Sequence, residues 1–252
     1  MSSPIEISDV DAIREIRLAR PPVNALDTRL CTAIADAVRD AAASGATGIV
    51  LAGGPKVFSG GMDVPHLLGL SDRDALRAAW EAFFDAARAL AGSPVPVVAA
   101  IAGHAPAGGC VLALCCDYRV MALGPFRIGL NETQVGLAAP EGIQHLLRRV
   151  VGPHRAERLL VSGTLLESAE ALALGLVDEL IDLEHVGARA RAWLQELLRL
   201  PRAPVLRTRA IAREDLIAAL APGRLQLDTF LDAWLDADTQ AGLHALVARL
   251  KK

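Results

Sequence analysis

Val95-Pro96-Val97-Val98-Ala99-Ala100-Ile101-Ala102-Gly103-His104-Ala105-Pro106-Ala107-Gly108-Gly109-Cys110-Val111-Leu112-Ala113-Leu114-Cys115-Cys116 is the most apolar stretch of the chain. By length alone it would span a bilayer, which takes about 20 apolar residues. Pro96, Gly103, His104, Pro106, Gly108 and Gly109 break it, however, and Asp117 ends it. That punctuation predicts a buried strand over 95–102, a glycine turn, and a buried helix over 107–116. Tyr118 to Ala122 then reads as the next strand.

The same alternation extends upstream. Ile49-Val50-Leu51-Ala52 is a short apolar strand closed by Gly53-Gly54-Pro55, and a long helix runs from about Asp72 to Leu90. Strand, turn and helix repeating from residue 45 to about 122 predict an α/β fold with right-handed crossovers and a mostly parallel sheet. Before this core, Ile5 to Leu18 holds two apolar runs around a polar turn at Asp9 to Asp11, a hairpin pattern. Arg20-Pro21-Pro22-Val23-Asn24-Ala25-Leu26 is a proline-stiffened loop, with Asp27 as N-cap of a helix carrying Leu30, Ile34 and Val38 at helical spacing. From Glu141 onward helical patterns dominate, near 141–151, 153–161, 168–174, 184–199, 203–215 and 222–250. The expected organisation is an α/β core over 1–195 and a helical region over 196–252.

A composition of 52% hydrophobic and 22% charged residues is that of a globular chain. The net charge of -3 gives no general attraction to nucleic acid or to an anionic membrane surface, so neither is expected as a partner. Cys31, Cys110, Cys115 and Cys116 lack metal-ligand spacing and read as small buried thiols in a reducing compartment. Glu6, Asp9 and Asp11 precede any long apolar run, so no leader is expected and the location is expected to be cytoplasmic. Lys251 and Lys252 read as a solvated end.

Two glycine turns stand out chemically: Phe58-Ser59-Gly60-Gly61-Met62-Asp63 after the strand at Ile49, and Gly103 to Cys110 after the strand at Val95. Each leaves a strand and enters a helix, where unpaired N–H groups on glycine-permitted backbone can hold a developing negative oxygen. Either turn alone is explained by tight geometry; two of them could supply one N–H each to the same oxygen. A third element is Ile128-Gly129-Leu130-Asn131-Glu132-Thr133-Gln134-Val135-Gly136-Leu137, followed by Pro140-Glu141-Gly142. Glu132 sits among apolar neighbours, where desolvation would raise its pKa and suit it to general-base work. Alternatively it caps the helix starting near Pro140, or pairs with Arg127. Asp63 reads as the cap of the helix after the first turn, His104 as a loop histidine that could approach a ligand, and His66 as a solvated surface histidine that could reach one. Arg148, Arg149, His154 and Arg155 form a basic cluster that could meet phosphates or simply line the surface.

These motifs, in this order, resemble the crotonase (enoyl-CoA hydratase/isomerase) superfamily. So does Arg155-Ala156-Glu157-Arg158-Leu159-Leu160-Val161-Ser162-Gly163, followed by Ala169 to Asp178. Within that family the chain is most similar to the mitochondrial-type 3,2-trans-enoyl-CoA isomerases, through Pro106-Ala107-Gly108-Gly109-Cys110 and Ile128 to Gln134. The resemblance implies the crotonase (ClpP-like) fold, in which repeated ββα units form a spiral core with a C-terminal helical region. It implies an oxyanion hole from the N–H groups of Met62 and Gly108, and substrate contacts at Gly60, Gly61, Met62, Asp63, Val64, Gly108 and Asn131. The base maps to Glu132, with Glu141 as a second candidate because the peroxisomal-type isomerases keep theirs in a Pro-Glu-Gly segment. If both faced one pocket, their repulsion would keep one protonated.

The hydratases of the family carry a second glutamate where this chain has Val111, and the dienoyl-CoA isomerases an aspartate. Their absence implies a one-base shift of a double bond from 3-enoyl-CoA to 2-enoyl-CoA in fatty acid oxidation. Other crotonase chemistries, such as hydration or thioester hydrolysis, and a non-catalytic acyl-CoA-binding or RNA-associated homologue are the rivals. No cofactor is implied, since CoA arrives with the substrate, and a homotrimer or dimer of trimers is. Leu225, Phe230, Trp234, Leu243 and Leu246 would pack on their own chain or cover a neighbour's acyl site. The depth of the acyl pocket is expected to depend on how the 64–90 region packs.

Overall fold

The structure, a computed structural model, describes residues 3–70 and 72–250; the end expected to be solvated at Lys251 and Lys252 lies outside them. In chain order the elements begin with β1 (Ile5–Val10), β2 (Ile13–Leu18), α1 (Thr28–Ala43), β3 (Gly48–Ala52), α2 (Val64–Leu68) and α3 (Arg73–Ala91). Then come β4 (Val97–Ile101), β5 (Ala105–Pro106), α4 (Gly108–Leu114), β6 (Tyr118–Ala122), β7 (Arg127–Gly129) and a 3-10 turn at Glu132–Val135. After these follow α5 (Glu141–Val151), α6 (Pro153–Ser162), β8 (Leu166–Glu167), α7 (Ser168–Ala173) and β9 (Glu179–Ile181). A 3-10 turn (Leu183–His185) leads to α8 (Val186–Leu197), α9 (Arg202–Ala212), α10 (Glu214–Ala219), α11 (Pro222–Leu225), α12 (Leu227–Leu235) and α13 (Ala237–Leu250).

The large sheet has the order β1-β2-β3-β4-β6-β9. The β1–β2 hairpin is antiparallel, and every later pairing in this sheet is parallel. Successive side chains on a strand point to opposite faces, and the sequence uses both. Ile49, Leu51, Val97, Ala99 and Ile101 enter the main core, whereas Val50, Ala52, Val98, Ala100 and Val120 face a second cluster closed by Val186, Ala190 and Leu194 of α8. Both faces are apolar because helices cover both.

A second, smaller sheet of order β5-β7-β8 lies alongside. Isolated bridges extend it, Val57 pairing with His104 and Leu26 with Met62. Each turn of chain thus gives one strand to the large sheet and a short strand or bridge to the small one: β3 then Val57, β4 then β5, β6 then β7. This is the repeated ββα pattern of a crotonase fold. The strand-turn-helix reading of residues 45–122 lacked these second strands, which are two or three residues long and carry no periodicity of their own.

The C-terminal helices share the main core. Leu216, Leu220, Leu225, Phe230, Leu231, Trp234 and Leu243 belong to the same buried cluster as α1, α3 and α4, and position 195 falls inside α8. An ionic clasp fastens this region to the sheet. Asp117, at the end of the Cys115-Cys116 turn, accepts from the Val97 N–H (2.8 Å), Arg209 (2.7 and 2.8 Å) and Arg213 (3.0 Å). Arg213, only 5% exposed, also donates to the carbonyls of Ala91 and Cys115. Removing one partner of such a buried set strands the opposite charge, which costs about 3–5 kcal/mol. Asp117→Ala is therefore expected to lower unfolding free energy by roughly 3 kcal/mol in a urea titration; a loss under about 1 kcal/mol would show the clasp to be solvated.

Candidate active site

The two glycine turns meet. Gly61 adopts φ +85°, open to glycine at no steric penalty, and a Cβ placed there would stand 3.3 Å from the Gly108 nitrogen. From the other side, a Cβ on Gly109 would stand 2.5 Å from the Ser59 carbonyl oxygen, so only glycine fits. Ser59, fully buried, braces the first turn by donating to the Asn24 carbonyl and accepting from the Gly61 N–H.

Backbone geometry then exposes two donors. The bridge between Leu26 and Met62 uses the Leu26 N–H on Gly61 and the Asp63 N–H on Leu26, which leaves the N–H of Met62 turned away from its strand partner. Gly108 is the first residue of α4, and a helix cannot supply an acceptor for its own first N–H. Ala107 before it holds φ +47°, an unfavourable conformation for alanine worth about 1–3 kcal/mol of strain. Both Met62 and Gly108 line one cavity of about 620 Å³, within the range of small-molecule sites.

Glu132 opens into this cavity at the start of the 3-10 turn, beside Asn131. It is half-buried as a residue because it faces the cavity, yet protein surrounds its carboxyl. Burial pushes its pKa up to about 7, opposed only by its own backbone N–H. Among the described residues it has no cationic partner; Arg127 pairs instead with Glu167. The carboxylate is felt across the site by the Cys110 thiol of α4, whose own pKa is raised mainly by burial.

Gly60, Met62, Asp63, Val64, Gly108 and Asn131 line the cavity, and Gly61 sits behind them. Asp63 caps α2 through the His66 N–H (3.1 Å) and binds Arg20 (2.6 Å), which leaves it no free role in the pocket. Val111 lines the wall as an apolar side chain.

Glu141 is the correction. Its neighbours Pro140 and Ile143 reach the cavity, but Glu141 points outward into a fork with Arg224 (2.7 Å to each oxygen) and an ion pair with Arg148 (2.8 Å). Arg224 foremost, with Arg148, holds its carboxyl below the usual carboxylate range, so it is a charged structural group and not a second pocket acid. The repulsion expected between two pocket glutamates does not arise. The basic cluster is likewise partly spent, Arg148 on Glu141 and Arg149 on Asp215. The four cysteines are buried free thiols.

The far wall of the cavity was only half foreseen. Phe230, Trp234, Leu243 and Leu246, from the C-terminal stripe, line it from the same chain. Facing them are Trp80, Phe83 and Phe84 of α3. Of three Trp, five Phe and one Tyr in the chain, five residues gather here, with Trp80 edge-on to Phe230 (4.6 Å) and Trp234 (5.4 Å). The clue in the sequence was three aromatics within positions 80–84 of an aromatic-poor chain.

Met62 and Gly108, whose N–H groups have no backbone acceptor among the described residues, line one largely apolar cavity with Glu132, whose pKa burial pushes up to about 7. Such a set suits chemistry in which a carbonyl oxygen gains charge while a nearby carbon exchanges a proton. The profile of the enoyl-CoA hydratase/isomerase family matches residues 9–252, and the chain belongs to that family. It is 32% identical over 254 residues to the mitochondrial enoyl-CoA delta isomerase 1 of Mus musculus, across 98% of this chain and 87% of the relative. It is 36% identical over 182 residues to a probable enoyl-CoA hydratase of Mycobacterium tuberculosis, across 72% of this chain and 69% of the relative. The crystal structure of human mitochondrial delta3-delta2-enoyl-CoA isomerase matches with a TM-score of 0.93 at 30% identity, covering 98% of each chain. Among the described residues no helix is long and apolar enough to cross a membrane.

The raised pKa of Glu132 makes a stability prediction independent of any substrate. Below the unfolded value of 4.5 the carboxyl is neutral in both states; between there and about 7 only the unfolded chain ionises, so the fold loses stability as pH rises. Glu132→Gln is expected to stabilise the protein by on the order of 3 kcal/mol at pH 8 and by almost nothing at pH 4. Thermal melts of both proteins across that range check it, and a gain independent of pH would place the carboxyl in water.

Proposed function

We propose that this enzyme isomerises 3-enoyl-CoA to 2-enoyl-CoA, as a step in the oxidation of unsaturated fatty acids. One observation supports this above the others: a buried carboxyl whose pKa is pushed up to about 7, without a cation partner among the described residues, lines the same cavity as two main-chain N–H groups that no described backbone acceptor takes up. In this reading the thioester oxygen accepts from Met62 and Gly108. Glu132 takes a proton from C2, and the electron pair delocalises over C2 to C4 and the carbonyl as a dienolate. The same carboxylic acid then returns the proton to C4, leaving the double bond between C2 and C3. The sum is redox-neutral and consumes no water.

Preorganised donors in a water-excluded site stabilise the growing negative charge most where it grows most, at the thioester oxygen. The carboxyl pKa near the working pH balances the ability to take the proton against the ability to return it. Asn131 and the turn Gly60 to Val64 would flank the thioester, and the aromatic and leucine wall would receive the acyl chain. Membership of the family also favours a homotrimeric assembly, which light scattering would test.

The match to a probable hydratase favours a second reading, addition of water to 2-enoyl-CoA. Hydration asks one group to activate water and another to manage the proton at carbon, and Val111 can do neither. Turnover of 3-hexenoyl-CoA is expected to fall roughly 10²–10⁴-fold in Glu132→Gln and to change less than about threefold in Glu141→Gln. In the parent enzyme kcat/KM should rise with pH through an inflection near 7. Full turnover in Glu132→Gln would overturn the isomerase reading, and 3-hydroxybutanoyl-CoA formed from 2-butenoyl-CoA would favour hydration.

A further inference from the structure

We propose that His104 is a positioning residue that locks both glycine turns and the strand leading to Glu132 into one register, acting through its Nδ1 on the backbone of Arg127. The inference deepens the reading of Glu132 as the base and rests on it. His104 stands where three segments meet. Its N–H donates to the Lys56 carbonyl (3.0 Å), and its carbonyl accepts from the Phe58 N–H (2.8 Å), which ties the second turn to the start of the first. Its side chain then reaches the third segment: Nδ1 accepts the Arg127 N–H at 3.1 Å, and the ring stands edge-on to Phe126 at 5.6 Å. With Nδ1 accepting, the ring proton belongs on Nε2.

The need for a side-chain acceptor follows from how thin this ladder is. β7 has three residues, and its partner β5 has two, one of them Pro106, which has no N–H to give. The carbonyl of His104 serves the first turn instead, accepting from Phe58. Nδ1 supplies the missing rung at the mouth of the strand. Below it, Ala105 and Pro106 pair with Ile128 and Gly129, and the Ala107 N–H donates to the Gly129 carbonyl (2.8 Å). Gly108 and Glu132 therefore hang from opposite sides of one short ladder, and His104 sets its register. A displacement of about 1 Å between reacting groups can cost as much as 10²-fold in rate.

Three variants test this. His104→Ala removes ring and acceptor, His104→Phe keeps a ring against Phe126 without the acceptor, and His104→Asn returns an acceptor oxygen near the place of Nδ1. Turnover of 3-hexenoyl-CoA is read alongside the Glu132 carboxyl titration, followed by 13C chemical shift in glutamate-labelled protein. Ala and Phe are expected to lose roughly 10–100-fold in kcat with KM within about threefold, and Asn to recover to within about threefold of the parent. The Glu132 midpoint should drop from about 7 toward 4.5 in Ala and Phe, as the carboxyl gains water, and return in Asn. A histidine that merely stabilises the turn would lower melting temperature without moving that midpoint. Parent kcat and midpoint in Ala and Phe, or an Asn variant no better than Phe, would overturn the proposal. Should Ala fail to fold, the Phe and Asn pair decides alone. Should Glu132→Gln keep full turnover, the base assignment falls, while the 13C midpoint still reports whether His104 places that carboxyl.

Discussion

Everything functional in this molecule depends on two stretches of main chain approaching more closely than side chains permit. The Ser59 to Met62 turn and the Ala107 to Gly109 turn touch backbone to backbone, with no room for a methyl at Gly109. The approach brings together two N–H groups that neither secondary structure uses, one released by a single-residue bridge and one by a helix start. Strain at Ala107 is tolerated because buried Ser59, the Gly129 carbonyl and the α4 helix together over-determine the turn. The α/β layers hold that approach rigid, and the C-terminal helices, fastened through Asp117, cover the cavity beside it.

Much of this was legible in residue order, because it was written in local chemistry. The Ile5 to Leu18 hairpin, the Asp27 cap, the helix over 141–151 and the Asp63 cap all follow from short-range rules that tertiary packing did not override. The glycine turns were recognisable as pairs of donors on the same grounds. What escaped depends on partners distant in sequence. The fork that turns Glu141 outward comes from Arg224, 83 positions away, so no local pattern distinguishes Pro140-Glu141-Gly142 from a segment aimed at the pocket. The two-residue strand β5 exists only because β7 lies beside it, and Trp80 becomes a cavity wall only because α12 folds back over α3.

The treatment of carboxylates separates architecture from chemistry. Asp63 is held by Arg20, Asp117 by Arg209 and Arg213, Asp178 by Arg119, Glu179 by Arg189, and Glu141 by Arg224. Each of these ion pairs joins separate segments and builds structure. Among the described residues Glu132 is given no such partner, and burial pushes its carboxyl up to about 7. An arginine placed there would remove the destabilisation and, with it, the ability to hold a proton near neutral pH. A fold that pairs these acids with arginine and leaves the buried Glu132 carboxyl without one among the described residues bears an avoidable loss of stability there. Stability alone gives no reason for that exception; the proposed transfer of a proton from C2 to C4 does.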